Sequence, residues 1–598
     1  MATSNQLRAE RRKQPQVLSL HVLAGMEAPV RGEQSQWAIL VHHFLDRFFN
    51  SEMASSDDEG KTRLIQVACA TGLPGWVAAM YQWPVYHDIF KLHRPYWSQV
   101  GDHYFFVVYS MVAMGIIVVF EWDLFFPDLL DIFVLSSLPI KRRTLFLARI
   151  VTVCIFVVGF LVIANFLSTL ALPAAIDPPD TSRFLAAHIL AVGGSGIFAA
   201  ATILAVQGFL LTVLGARAFR KISLVLQATF ITGLLMILFL IPVLSGALPV
   251  FPHSGHSYVL YFPPFWFLGV YQHILEGSSA LPIYATLAQA GYKATLAMTA
   301  VAVFFYPLAY WRRTRELIEG SAACDTRSPL AAPFNRILHE TLVRVPARRA
   351  IFHFISQTLF RVERYRIYLV MYAGLCVSLI ASTVVRMQVE KGRIHLELSA
   401  DGIRAAIPMA AFLIIAGLRV AFVSPGDPRG RWVFRVVKGR PEWEQLSAAK
   451  IWILTWAIII MATVYCVLML ASHTEAHGWR AIAGQILVAM GSCILLTDAF
   501  FLNVKIIPFT GERAAEKANL AIVLLKYVAA FVPWVLLVSN VEPWIEASSG
   551  HMALTIAAIG ATHFMMQAIH RELLSDHLSV PDLDEDQQRL FQTLGLRY

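Results

Sequence analysis

The stretch DEGKTR at 58–63 is the closest the chain comes to a nucleotide-binding loop. A phosphate-binding GxxxxGK[ST] needs an earlier glycine and a preceding strand, so that backbone N–H groups can cradle the phosphates. Here the earlier glycine is missing and no strand pattern precedes, so the segment reads as a polar linker. No LSGGQ-like signature, HExxH pair, catalytic triad or kinase-type set of motifs occurs. The GGSG run at 193–196 lies inside a long apolar stretch, where small residues let helices approach closely. The six cysteines, at 69, 154, 324, 376, 466 and 493, form no CxxC pair and show no metal-ligand spacing. They read as small apolar residues, so no disulfide, structural zinc or other metal site is expected. What remains for chemistry is charge inside apolar stretches, which is costly and often functional. Lys526 stands near the middle of one such stretch, while Glu121, Arg419 and Asp498 lie within about a turn of the ends of theirs. Pairing or snorkelling accounts for those three. For Lys526, a buried partner on another span and a substrate contact both stay open. No catalytic residue and no cofactor bound by this chain are expected.

The elements that carry these residues follow from composition. A hydrophobic fraction of 57%, a charged fraction of 15% and a mean hydropathy of +0.58 describe a membrane protein. A hydrocarbon core of roughly 30 Å needs about 20 apolar residues per helical crossing, and about twelve windows qualify. They are 64–86, 103–121, 147–172, 185–215, 222–248, 288–310, 366–386, 405–423, 450–472, 481–502, 518–540 and 551–570. The first is interrupted by TGLPGW. The net charge of +9 is not a nucleic-acid signature, because Lys and Arg gather in particular loops. With a cytoplasmic N-terminus, most of them fall on the cytoplasmic side, which matches the positive-inside bias and puts both termini in the cytoplasm. The opening MATSNQLRAERRKQPQ is polar and basic with no apolar run directly after it, so no cleavable signal peptide is expected.

The loop pattern divides the chain near residue 320. It gives a tail at 1–35, a first six-span half at 36–311, a linker at 312–349, a second six-span half at 350–570 and a tail at 571–598. Each half opens with an amphipathic stretch. In the first, Trp37, Leu40, Phe44 and Phe48 recur at helical spacing, and in the second Phe352, Ile355, Leu359 and Val362 do so. Such a helix suits either the membrane surface or a cytoplasmic face of its own protein. Two spans later each half carries a half-charged, half-apolar segment, at 120–150 and 422–452. Both pair an acidic residue with a proline, Pro127-Asp128 and Asp427-Pro428. Both meet a second proline, Pro139 or Pro441, before the next span opens with LARI or AAKI. Exposed apolar surface rimmed by charge marks a contact site, so a partner is expected there. The match is one of layout, as in a tandem duplication of a six-span unit.

These stretches resemble the permease subunits of type-2 ABC exporters, in particular large bacterial permeases with two fused halves. The likeness is carried by LFFPDLLDIFVLSSLPIKRRTLFLAR, AFVSPGDPRGRWVFR, AIFHFISQTLFRVERYR, YFPPFWFLGVYQHILEG and IPFTGERAAEKANL. The last departs from the family pattern, which has a cysteine and a second proline where this chain has GERAAE. The resemblance implies an all-α polytopic fold of about twelve transmembrane helices in two tandem six-helix halves, each with a connecting helix and a cytoplasmic coupling helix. It implies that the coupling helices dock on a separate ABC-type ATPase, which would bind the ATP and Mg. The contact residues would be Pro127, Asp128, Leu129, Asp131 and Phe133 in the first half, and Pro425, Asp427, Arg431, Trp432 and Phe434 in the second. It further implies a re-entrant segment near the outer leaflet between spans five and six. Residues 259–277 fit this, with Pro263, Pro264, Trp266 and Tyr271, although an ordinary extracellular loop is also compatible with them. The second half has only NVEPWIEASSG at that place. The implied setting is a bacterial cytoplasmic membrane, with ATPase and lipids as partners and no nucleic acid.

The expected function is then the membrane-spanning part of an ATP-driven exporter for a lipid-like or amphipathic substrate. An ion-coupled secondary transporter of twelve spans and a non-transporting membrane anchor are the alternatives. A proton-driven carrier would carry more carboxylates deep in its spans than the windows above contain.

Overall fold

The structure is a computed structural model that describes residues 36–49, 57–87, 94–246, 248–249, 260–318, 344–390, 393–423, 443–471, 478–502, 504, 508–509 and 513–578. The chain up to residue 318 forms α1 (Gln36–Phe49), α2 (Asp57–Tyr86), α3 (Tyr96–Phe120), α4 (Leu129–Ser136), α5 (Arg142–Ile176), α6 (Thr181–Phe239), α7 (Ile241–Ser245), α8 (Pro263–Glu276) and α9 (Pro282–Ile318). The rest forms α10 (Pro346–Arg361), α11 (Glu363–Val384), β1 (Val385–Glu390), β2 (Arg393–Leu398), α12 (Ala400–Val423), α13 (Trp443–Ala471), α14 (Trp479–Phe500), α15 (Arg513–Ala547) and α16 (Ser549–Leu578). Among the described residues, eleven helical stretches are long and apolar enough to cross a membrane. The chain is thus a mostly helical, multi-pass membrane protein. The first expected span, 64–86, is helical as the C-terminal part of α2 and is not counted among the eleven; its side chains before 71, Cys69 aside, lie outside the described residues.

Two of the eleven, Thr181–Leu214 and Ile222–Phe239, belong to the single helix α6. A Cβ on Gly196 would touch Met114 of α3, whereas one on Gly115, the next residue of α3, would touch Leu234. Gly196 and Leu234 would lie about 57 Å apart on a straight helix. Helix α6 therefore doubles back, and Trp122 stacked on Phe219 places the reversal at the end of α3. The bend coincides with Arg217, Arg220 and Lys221.

That end of the bundle gathers basic residues. Arg312 of α9 donates to the Thr212 carbonyl, Phe146 of α5 packs on Trp311, and Lys141, Arg142 and Arg143 open α5 nearby. In the later part of the chain Arg348, Arg349, Arg361 and Arg366 share the same end, since α11 runs alongside the second arm of α6 and Ser378 donates to the Thr232 carbonyl.

Buried apolar clusters separate at the same point in the sequence as the loop pattern. A large one runs from Ile351 to Met552 with a small one of Val384, Ile403, Ala406 and Leu468 beside it, and the others draw on residues before 320, with Val370 and Leu375 of α11 leaning across. Helix α1 buries Leu40, Val41 and Phe44 against α5, and α10 buries Phe352, Ile355 and Leu359 against α13. Most of the described apolar face of each amphipathic helix is therefore spent on its own protein, although Trp37 and Val362 stay exposed and the Phe48 side chain lies outside the described residues.

The all-helical expectation needs one amendment. Strands β1 and β2 pair antiparallel from Val385 opposite Leu398 to Glu390 opposite Arg393. The alternation VRMQVE and RIHLEL has the period of two that a strand requires, and Arg386 stands opposite Glu397.

Candidate functional site

Residues 121–136 form the turn and short helix α4 between α3 and α5, at the basic end. Pro127 is buried, Asp128 is exposed, and α4 runs from Leu129 with Asp131 in its first turn. Phe133 and Val134 are 63% and 60% exposed, and Leu138 is exposed just beyond. The opposite side of the element is anchored, with Leu135 packing into the cluster of Leu40, Val41, Phe44 and Ala148.

The turn before α4 is held through its carbonyls. Gln207 of α6 donates to the Trp122 carbonyl at 2.7 Å, and Tyr306 of α9 donates its hydroxyl to the Phe125 carbonyl at 2.7 Å. Arg149 of α5 donates to the Leu124 and Phe126 carbonyls, lies 3.7 Å from the Asp131 carboxylate and sits over the Phe44 ring. Arg149 is only 2% exposed, so this charge is tolerated because two carbonyls accept from it and an anion is near. Three long helices and α1 thus converge on one short element whose outer face is bare. The sequence signal for Arg149 was the LARI tetrapeptide, which reads as the start of a span.

The corresponding tetrapeptide AAKI supplies Lys450 of α13, also buried. It lies 3.4 Å from Asp498 of α14, which further accepts from His563 and, at 3.1 Å, from Gln567 of α16. Asp498 is therefore paired at the end of its span, as its position implied. Arg419 donates to the Phe500 carbonyl at 3.1 Å. Pro425, Asp427, Arg431, Trp432 and Phe434 lie outside the described residues.

Helix α8 is about 21 Å long, too short to cross a core of roughly 30 Å. Pro263 and Pro264 occupy its first turn, where a missing N–H costs nothing, and Gly277 ends it at φ 60°. The chain then turns into α9 and the two helices run antiparallel, with Gly269 against Tyr284, Leu287 and Ala288, and Trp266 against Gly291. Phe267 reaches Gly194 of α6. Helix α8 consequently enters the bundle from the end opposite the basic one and stops part-way. Trp266 donates to the Leu260 carbonyl at 2.6 Å, while Tyr271 is fully buried.

Around Tyr271 lies a buried polar cluster whose members no local spacing links. The His103 ring of α3 stacks on Tyr271 at 4.3 Å and bonds Gln272 at 2.9 Å, and His188 of α6 bonds the Tyr271 hydroxyl at 3.2 Å. Nearby, Asp102 accepts from Tyr86 and Arg94. Outside the spans, the bonded Asp102 carboxylate raises Arg94 above its ordinary value, and the Arg183 backbone N–H holds exposed Asp180 below the usual carboxylate range.

Lys526 is exposed on the surface of α15 and is the first residue of that helix whose side chain is described, so the apolar window there is described over 526–547. The window extends past the expected end at 540 and takes in Glu542 and Glu546, which the sequence presents as loop because Pro543 sits between them. Glu542 is fully buried; Glu546 packs on Gly484 of α14 and lies 3.6 Å from Arg404 of α12. Among the described residues no group of three or more His, Cys, Asp or Glu side chains is placed to hold a metal ion. Compared with known protein families, characterised proteins and solved structures, the chain matches none of them.

Proposed function

We infer that the chain is the membrane-spanning permease subunit of an ATP-driven ABC exporter, moving a lipid-like or amphipathic substrate with a separate ATPase chain. The observation that carries this is α4: an apolar face bare to solvent at the basic end, braced from behind by Arg149, Gln207 and Tyr306. A load on Phe133 and Val134 would reach α5, α6 and α9 through bonds rather than through a slack loop. By the positive-inside bias the basic end is cytoplasmic, and both α1 and the C-terminal end of α16 lie there. A two-halves organisation is supported by parallel packing: α1 on α5 as α10 on α13, α3 on α6 as α12 on α14, and Arg149 placed in sequence as Lys450. The test is purification in mild detergent from a native membrane. A nucleotide-binding chain should copurify in stoichiometric amount and be lost with Phe133→Asp plus Val134→Asp; its absence after crosslinking would refute the assignment.

One observation favours the second possibility, an ion-coupled carrier: Glu542 and Glu546 lie inside a span. That carrier would transport without any ATPase and stop when the ion gradient is collapsed.

A further inference from the structure

Helix α15 carries Ser539, Glu542 and Glu546 at successive helical turns, so all three look the same way, toward the packed side of the helix. Two carboxylates and an amide oxygen come together there. Both carboxylate oxygens of Glu542 are buried without a hydrogen bond of good geometry, the Gln485 amide being placed to donate to them weakly, and Oε1 of Glu546 is buried in the same way. The neighbouring side chain from α14, Gln485, is 3% exposed, and its Oε1 is likewise buried and unpartnered. Hydroxyls of Ser539 and of Tyr465 from α13 also lack partners. The charged and titratable groups facing Glu542 are Glu546 on its own helix, Arg404 on α12 and Tyr465 on α13, with Cys466 beside Tyr465. On α16, His551 is stacked on Trp544 with its Nδ1 at 2.8 Å from the Trp544 carbonyl. Arg404 is the one cation among these, half-exposed and directed to Glu546.

A carboxylate has only lone pairs to offer, and so has the Gln485 oxygen. The Gln485 amide and the Ser539 and Tyr465 hydroxyls can donate to these oxygens but are neutral, and an unpaired buried charge in an apolar interior is prohibitively costly. Glu542 has no exposed surface through which a bulky cation could reach it. A proton on Glu542 removes that charge. We propose that Glu542 is a proton-binding site: its carboxyl takes a proton from the aqueous phase at the end opposite the basic one, directs the O–H to Gln485 Oε1 or Glu546, and returns the proton to the same phase when α15 loosens. Proton uptake neutralises one charge and forms one O–H bond, and its release restores the carboxylate. Packing of α15 against α12, α14 and α16 thereby becomes sensitive to pH. This does not rest on the exporter assignment and needs no ATPase.

The test uses the full chain in lipid nanodiscs. Infrared difference spectra between neutral and alkaline pH should show a carboxylic-acid carbonyl band that shifts in heavy water. The band should be absent in Glu542→Gln and retained in Glu316→Gln, which alters an exposed pair at the basic end. As Glu542→Gln could fold poorly, the unaltered chain is also treated with dicyclohexylcarbodiimide, which attacks protonated carboxyls in apolar surroundings. Peptide mass mapping should find the adduct on Glu542 at neutral pH, with labelling lost at alkaline pH. An unchanged band in the variant, or no adduct on Glu542 at neutral pH, overturns the proposal. Protection of Glu542 by sodium or potassium at fixed pH also overturns it, by showing that the occupant is a metal cation.

Discussion

A guanidinium with 2% exposure beneath α4 is stable only while its hydrogen bonds and its anion are in place. Arg149→Ala strips a cation from beside Asp131 and donors from two carbonyls, and should cost about 3–5 kcal/mol of stability in denaturant unfolding. Arg149→Lys, which keeps the charge but loses the fork, should recover part of this. A loss below about 1 kcal/mol in the alanine variant would show that the pair behaves like a surface ion pair. Glycines give an internal comparison. A Cβ on Gly269 would lie 2.5 Å from Leu287 Cβ and 3.0 Å from two backbone atoms, so Gly269→Val should destabilise by about 1–3 kcal/mol. Gly193 has nothing within 4 Å, and Gly193→Ala should stabilise by about 0.4–1 kcal/mol. Equal melting shifts for the two variants would contradict the close approach of α8 to α9.

Helix α4 illustrates which parts of this molecule can be read without coordinates. Its charges and prolines interrupt an apolar run, and that interruption is visible in a string of letters. What braces it is not visible: Arg149 looks like an ordinary basic residue at a span entrance, and Gln207 and Tyr306 are far away in sequence. Glu542 was hidden for the opposite reason, since an acidic residue next to a proline reads as the end of a span although α15 passes through Pro543. His103, His188 and Tyr271 meet only because α8 folds back beside α3 and α6, a juxtaposition that no local spacing announces. The hairpin of β1 and β2 was legible in its alternation and lay in what otherwise read as a polar connection. Because Phe133 and Val134 touch water rather than the core, Phe133→Asp and Val134→Asp should leave thermal stability within about 0.5 kcal/mol of the unaltered chain. A large loss would mean that this face packs on its own protein.

Across the bundle, basic residues at one end and a polar cluster, a hairpin and a returning helix at the other define two chemically different surfaces. In a background cleared of the native cysteines, Arg143→Cys and Arg571→Cys should react with an impermeant maleimide only from the cytoplasmic face. Ser278→Cys and Glu397→Cys should react only from outside, since all four positions are exposed. Labelling of 143 and 278 from one face would remove the basis for placing α4 in the cytoplasm. If α4 grips a nucleotide-binding chain, as proposed above, a photo-crosslinking amino acid at position 134 will capture it, in contrast to one at position 158 on the exposed side of α5. Irradiation in native membranes should yield an adduct between position 134 and an ATP-binding polypeptide, whereas position 158 should capture lipid. Lipid adducts alone at both positions would contradict the account.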